Sequence, residues 1–81
     1  MDPTRANAHA NIAEILMRQE KFNEAAEHLQ EALAHRPDSP GIHRMLGEAY
    51  AKSGQQDQAD HHLRRADELE AAIAAPELPV L

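Results

Sequence analysis

An internal repeat of 34 residues is the feature that most constrains this chain, because it spans nearly all of its 81 residues. When the sequence is shifted by 34 positions, identical residues coincide at Pro3 and Pro37, His9 and His43, Glu14 and Glu48, Ala25 and Ala59, His28 and His62, Leu29 and Leu63, and Ala32 and Ala66. Similar residues also coincide, as with Leu16 and Tyr50 or Arg18 and Lys52. A repeat of this period predicts two copies of one supersecondary unit that stack on each other.

Apolar residues within each repeat recur at helical spacing, and the chain lacks the apolar–polar alternation of a strand. The sequence therefore predicts an all-α fold with helices at about 4–19, 23–36, 40–52 and 57–75. Pro37 breaks the second helix, Ser39 suits an N-cap, and Pro40 suits the first turn of the third helix. Asn23 and Asp57 are the predicted N-caps of the second and fourth helices.

The second repeat contains the pattern His43-x₂-Leu46-Gly47-x₂-Tyr50, followed by Ala59-x₃-Leu63 and Ala66. The first repeat has His9-x₂-Ile12-Ala13-x₂-Leu16, then Ala25-x₃-Leu29, Ala32 and Pro37. This pattern resembles the tetratricopeptide repeat family. The resemblance implies one domain over 1–81, with repeats at about 6–39 and 40–73. It also implies two antiparallel helical hairpins stacked as a short right-handed superhelix.

Small residues in each repeat predict where the helices approach closely, at Ala13 and Ala25 and at their counterparts Gly47 and Ala59. Bulky residues are expected to fill the remaining core. These are Ile12, Leu16, Leu29, Leu46, Tyr50 and Leu63. Two departures from the family pattern stand out: histidine replaces the usual tryptophan at His9 and His43, and Glu20 occupies a turn position that usually holds glycine.

One face of the first helix in each hairpin is expected to line a groove. The resemblance implies that this groove binds a peptide or helix of another protein. The predicted lining residues are Asn7, Asn11, Glu14, Met17, Arg18, Arg44, Met45, Glu48 and Lys52. The alternative is that these residues form only a solvated helix face.

The last helix has no following repeat to cover it, so an open apolar face is expected there. The predicted self-association face consists of Leu63, Ala66, Leu69 and Ile73. It predicts a homodimer, including one with exchanged helices. The alternatives are that the apolar tail 76–81 covers this face, or that the chain is a piece of a longer protein.

Other functions are less well supported by the composition. The net charge is −6 and the chain shows no basic stripe, which argues against nucleic-acid binding. The first residues do not resemble a signal peptide and no apolar run suits a membrane helix, so a cytoplasmic location is expected. The six histidines do not have metal-ligand spacing, and no catalytic constellation or cofactor motif is visible. A histidine-based metal binder is the remote alternative, and an enzyme is not expected.

Overall fold

The computed structural model describes residues 2–74, and these residues form four α-helices joined by short turns. The helices are α1 (Pro3–Arg18), α2 (Phe22–His35), α3 (Pro40–Lys52) and α4 (Gln56–Ala74). Residues 2–74 contain no strand, which confirms the all-α prediction. The apolar tail predicted at 76–81 and position 75 of the fourth predicted helix lie outside the described residues.

One of the three predicted N-caps is confirmed, and the other two are not N-caps. The Ser39 side chain accepts a hydrogen bond from the backbone N–H of Ile42, and α3 begins with Pro40. The predicted caps at Asn23 and Asp57 are wrong. Both residues lie inside the first turn, because α2 begins at Phe22 and α4 begins at Gln56. Acidic Asp57 still suits that position, since the N-terminal end of a helix carries partial positive charge.

The two hairpin turns have the same backbone geometry, 34 residues apart. At the end of α1 the N–H of Lys21 donates to the carbonyl of Leu16 at 2.9 Å, and at the end of α3 the N–H of Gln55 donates to the carbonyl of Tyr50 at 2.8 Å. Each turn needs one residue with positive φ, the arrangement known as the Schellman motif. Glu20 takes this position with φ 60° and Gly54 takes it with φ 85°.

The core lies where α1 packs on α2, α2 on α3, and α3 on α4. Alanine supplies much of it, which allows the helix backbones to approach each other closely. The buried apolar residues are Ala6, Ala13, Ala25, Ala26, Leu29, Ala32, Ile42, Leu46, Ala49, Ala59 and Ala66. α3 and α4 approach closely at Gly47, where an added Cβ would lie 2.5 Å from the Cγ of Leu63.

Ile12 does not fill the core as predicted. Its side chain is 42% exposed, while Ala13 beside it is fully buried against the rest of the hairpin. The prediction failed because the two repeats have different neighbours. Leu46, the counterpart of Ile12 in the second repeat, is buried where α3 meets the preceding helix α2. No helix among the described residues covers α1 in the same way.

Candidate binding cleft

A cleft of about 560 Å³ opens near the C-terminal ends of α1 and α3. The small residues along the hairpins draw each second helix close to its first, so the first helices present their remaining side chains to this cleft. The lining residues are Glu14, Met17, Arg18, Glu20, Phe22, Met45, Glu48 and Lys52. Six of the nine predicted groove residues are therefore brought together here, and their binding role stays a prediction.

The cleft has an apolar floor and a charged rim. Met17 and Met45 are half-buried and pack against the core, while Phe22 at the start of α2 adds an aromatic ring. The ammonium of Lys52 lies 5.9 Å from the centre of the Phe22 ring, within the range of a cation–π interaction. Flexible methionine side chains adapt to differently shaped apolar groups. The floor can therefore accept an apolar side chain of a partner.

The rim carries more acidic than basic side chains. Arg18 is neutralised by Glu14 on the same helix, at an N–O distance of 3.0 Å. Within the described part of the chain, no cationic group lies within 4.0 Å of the Glu20 or Glu48 carboxylate. Both carboxylates are therefore accessible to a positively charged group of a partner.

Three predicted groove residues lie elsewhere. Asn7 and Asn11 are exposed along the N-terminal part of α1 and do not line the cleft. Arg44 forms ion pairs with Asp67, at 3.2 Å, and with Glu70, so its guanidinium joins α3 to α4. The prediction considered only the face of one helix, whereas acidic residues on the neighbouring helix determine where Arg44 reaches.

Glu20 and Phe22 line the cleft although the sequence prediction omitted them. Both lie around the hairpin turn and not on a first helix, so a search restricted to helix faces missed them. The scarcity of phenylalanine, tyrosine and tryptophan in the sequence could have pointed to Phe22, because the chain has only two such residues.

The outer face of α1 is apolar, and no helix of residues 2–74 covers it. Ile15 is 54% exposed, and Ile12 and Ala8 are exposed beside it. The counterparts of these residues on α3 are all buried, at Ile42, Leu46 and Ala49. The two hairpins therefore present the same helix face in two environments, covered in the second repeat and open in the first.

The predicted open face of α4 is not a single surface. Ala66 is fully buried, Leu63 and Leu69 are half-buried, and Ile73 is 71% exposed. Leu63 points at Gly47 of α3 and so belongs to the hairpin interior. The expectation that all four residues lie open at the end of the stack is wrong for Ala66, because the pairing of α3 with α4 already uses that face.

The exposed side of α4 is polar where α2 is apolar. Ala26 and Leu33 of α2 pack at the core, whereas Asp60 and Asp67 at the same repeat positions are exposed. At these two repeat positions α4 is therefore exposed and acidic, whereas α2 is apolar and packs at the core.

The histidines meet in pairs within each hairpin. The Nδ1 atoms of His9 and His28 lie 3.1 Å apart, and those of His43 and His62 lie 3.0 Å apart. Burial, followed by the neighbouring His43 and His61, lowers the pKa of His62 below its usual 6.5. Across residues 2–74, no three histidine or acidic side chains converge in a way that could hold a metal ion.

Comparison with known proteins adds one match. The profile described as Tetratricopeptide repeat matches residues 16–75. No curated protein and no solved structure matches the chain. None of the helices in the described region is both long and apolar enough to cross a membrane.

Proposed function

Because the chain belongs to the tetratricopeptide repeat family, whose repeats generally mediate protein–protein interaction, we propose that its cleft binds a peptide segment of another protein. The observation that carries this proposal is a cleft whose apolar floor lies beside two carboxylates, Glu20 and Glu48, that have no cationic group of the described residues within 4.0 Å. The segment has an apolar side chain that contacts Met17 and Met45, and an adjacent lysine or arginine that pairs with Glu48.

Charge supports a basic segment over an acidic one. The rim has three carboxylates, from Glu14, Glu20 and Glu48, and two cations, from Arg18 and Lys52. The chain as a whole carries a net charge of −6, which attracts basic ligands at long range. Affinity should therefore weaken as salt increases, because the rim is exposed to solvent.

The test is to select binders from a random peptide library on the wild-type protein and to measure their affinity by fluorescence polarisation. Selected peptides should share an apolar residue next to a basic one. Met45→Glu should weaken their binding at least tenfold by placing a charge on the apolar floor, and Glu48→Lys should weaken it through charge repulsion.

Asp57→Lys is the matched control for Glu48→Lys, since it makes a similar charge reversal on an exposed residue outside the cleft. It should leave peptide affinity nearly unchanged. Peptides that bind Met45→Glu and Glu48→Lys as tightly as they bind the wild type would contradict the proposal.

A second candidate function is self-association, favoured by the exposed Ile12 and Ile15 on α1. The occupant is α1 of a second copy, packed antiparallel, with Ile15 against Ala8 of the other copy and the two Ile12 side chains at the centre. Head-to-tail stacking is less suitable, because it would place the acidic outer side of α4 on this apolar face.

Sedimentation equilibrium tests this second function. Only Ala8, Ile12 and Ile15 have been assigned to this apolar face, so a weak dimer is expected, visible only at high protein concentration. Ile12→Glu should abolish it. Ile73→Glu, a matched change on α4, should leave the dimer intact. If Ile73→Glu abolishes the dimer and Ile12→Glu does not, the interface is the α4 face predicted from the sequence.

A further inference from the structure

In each hairpin an imidazole ring of the first helix contacts one of the second helix, and the two contacts are 34 residues apart in sequence. His43 of α3 meets His62 of α4 through their Nδ1 atoms, which lie 3.0 Å apart. At this distance one nitrogen must donate a proton and the other must accept it. The contact therefore depends on the protonation states of both rings.

The surroundings determine which ring donates. The Nε2 atom of His43 lies 2.9 Å from the backbone carbonyl oxygen of Pro37, which can only accept. Nε2 of His43 therefore carries a proton, and in the neutral ring its Nδ1 is an acceptor. His62 must then donate from Nδ1, so both bonds are satisfied when both rings are neutral.

Protons added to this pair have unequal effects. With one added proton, a charged His43 donates from both nitrogens, to Pro37 and to Nδ1 of a neutral His62. With two, both Nδ1 atoms carry hydrogen and point at each other across 3.0 Å, with two positive charges in adjacent rings. The contact tolerates the first proton and is lost with the second.

We propose that the His43–His62 pair is a pH-sensitive link between α3 and α4, closed while at least one ring is neutral and open when both are protonated. His43 is buried in the hairpin, so water cannot easily replace the lost hydrogen bond. This inference does not depend on what the cleft binds.

Among the described residues, no carboxylate lies within 4.0 Å of either ring to stabilise a second positive charge. From α3, the Tyr50 ring stacks on His62 at a centroid distance of 5.6 Å. From α4, His61 lies edge-on to His62 at 5.1 Å and can itself become positively charged. From α2, Gln30 reaches the group only through the Tyr50 hydroxyl, to which it donates at 2.8 Å.

The carboxylate of Asp38, near the link, is not free to stabilise a second positive charge either. Asp38 follows Pro37 in the turn between α2 and α3, and it lies 3.8 Å from the guanidinium of Arg65, one turn along α4 from His62. This carboxylate is therefore partly neutralised by arginine, which stays charged at all relevant pH values.

The His9–His28 pair has different surroundings, which is why the link is assigned to the second hairpin. It borders a cavity of about 420 Å³ that Glu27 and Glu31 also line. Two carboxylates beside a protonated pair can compensate its charge. The same histidine contact therefore has acidic surroundings in the first hairpin and neutral-to-basic surroundings in the second.

The direction of the pH effect follows from linkage. The pKa of His62 in the folded protein is below its usual value, so the unfolded chain binds protons more readily. The stabilisation is fully present above pH 6.5 and is lost as the pH falls towards the pKa of folded His62. Acid should therefore loosen the α3–α4 hairpin.

The test compares the melting temperatures of wild type, His62→Phe and His61→Gln at pH 7.5 and pH 5.0, followed by circular dichroism. Phenylalanine keeps a ring on Tyr50 but removes the titrating group. The drop in melting temperature on acidification should be at most about half as large in His62→Phe as in wild type, because the linked protonation is removed. In His61→Gln the drop should be reduced by less than in His62→Phe, because His61 is the smallest of the three causes that lower the pKa of His62.

Equal drops in wild type and His62→Phe would overturn the proposal, as would a His61→Gln variant as insensitive to pH as His62→Phe. If His62→Phe does not fold, ¹⁵N chemical shifts of the imidazoles in the wild-type protein decide. At pH 7.5 His43 should carry its proton on Nε2 and His62 on Nδ1, and the pKa of His62 should lie below the usual 6.5. The opposite tautomer on His62, or a His62 pKa at or above 6.5, rejects the link.

Discussion

Gly47→Ala should destabilise the protein although alanine is the better helix former. An added Cβ would lie 2.5 Å from Cγ and 2.6 Å from Cδ2 of Leu63, and 3.2 Å from the carbonyl oxygen of Ala59. Carbon atoms prefer separations of about 3.5–4.0 Å, so Leu63 must move by roughly 1 Å. The nearby carbonyl belongs to the α4 backbone, which cannot move by rotating a side chain.

The magnitude follows from two opposing contributions. Overpacking of a core costs about 1–3 kcal/mol, and the upper part of that range applies because a backbone atom is also close. Replacing glycine by alanine inside a helix returns about 1 kcal/mol. The net loss in the free energy of unfolding is therefore about 1–2 kcal/mol. In a domain of this size it lowers the melting temperature by roughly 4–16 °C.

Thermal unfolding followed by circular dichroism measures the effect, and Gly41→Ala is the matched control on the same helix. The nearest atom to a Cβ at Gly41 is the Ser39 hydroxyl oxygen at 3.9 Å, an ordinary contact. The control should therefore stabilise the protein, by about 0.5–1 kcal/mol. Opposite signs for the same chemical change would identify close helix approach as the cause.

Leu63 provides the second check. In a Leu63→Ala background the clash is removed, so Gly47→Ala should cost less there than in the wild type. A Gly47→Ala variant that melts at or above the wild-type temperature would refute the reasoning, as would one with an equal cost in both backgrounds.

Two further predictions concern the hairpin turns. Glu20→Gly should stabilise the protein by roughly 0.5–1 kcal/mol, because glycine relieves the strain of a positive φ by more than it adds to the entropy of the unfolded chain; a chemical unfolding curve with an unchanged or lower midpoint would contradict this. Gly54→Ala should destabilise by about 1 kcal/mol for the converse reason, even though nothing lies within 4 Å of the added Cβ. A loss here without any steric contact would show that backbone strain alone is responsible.

Much of the fold could be predicted from the sequence because its signals are local. Pro37, Ser39 and Pro40 together placed the start of α3 correctly, since a proline break and a cap each act on their own backbone. The starts of α2 and α4 were each predicted one residue late. Lys21, the residue before α2, makes no side-chain capping bond, and the turn hydrogen bonds set the start instead.

The candidate site was predicted in part, for the same reason. Helical spacing correctly grouped Met17 with Glu14 on α1 and Met45 with Glu48 on α3, and the structure brings both groups to one cleft. Phe22 joins them from the first residue of α2, and the helical spacing of α1 and α3 does not indicate its position.

The 34-residue period, taken by itself, determined that the chain forms two like hairpins, because each repeat contains the same apolar spacing and breakers. Only the tertiary structure decided how equivalent residues differ. Leu46 is buried because α2 covers it, whereas Ile12 is exposed because no described helix covers it. The pairing of His43 with His62 was equally invisible in the sequence, since contact between side chains on two helices depends on how their axes pack. The periodicity of the sequence indicates which helix face a residue occupies, and the packing of the helices determines what that face contacts.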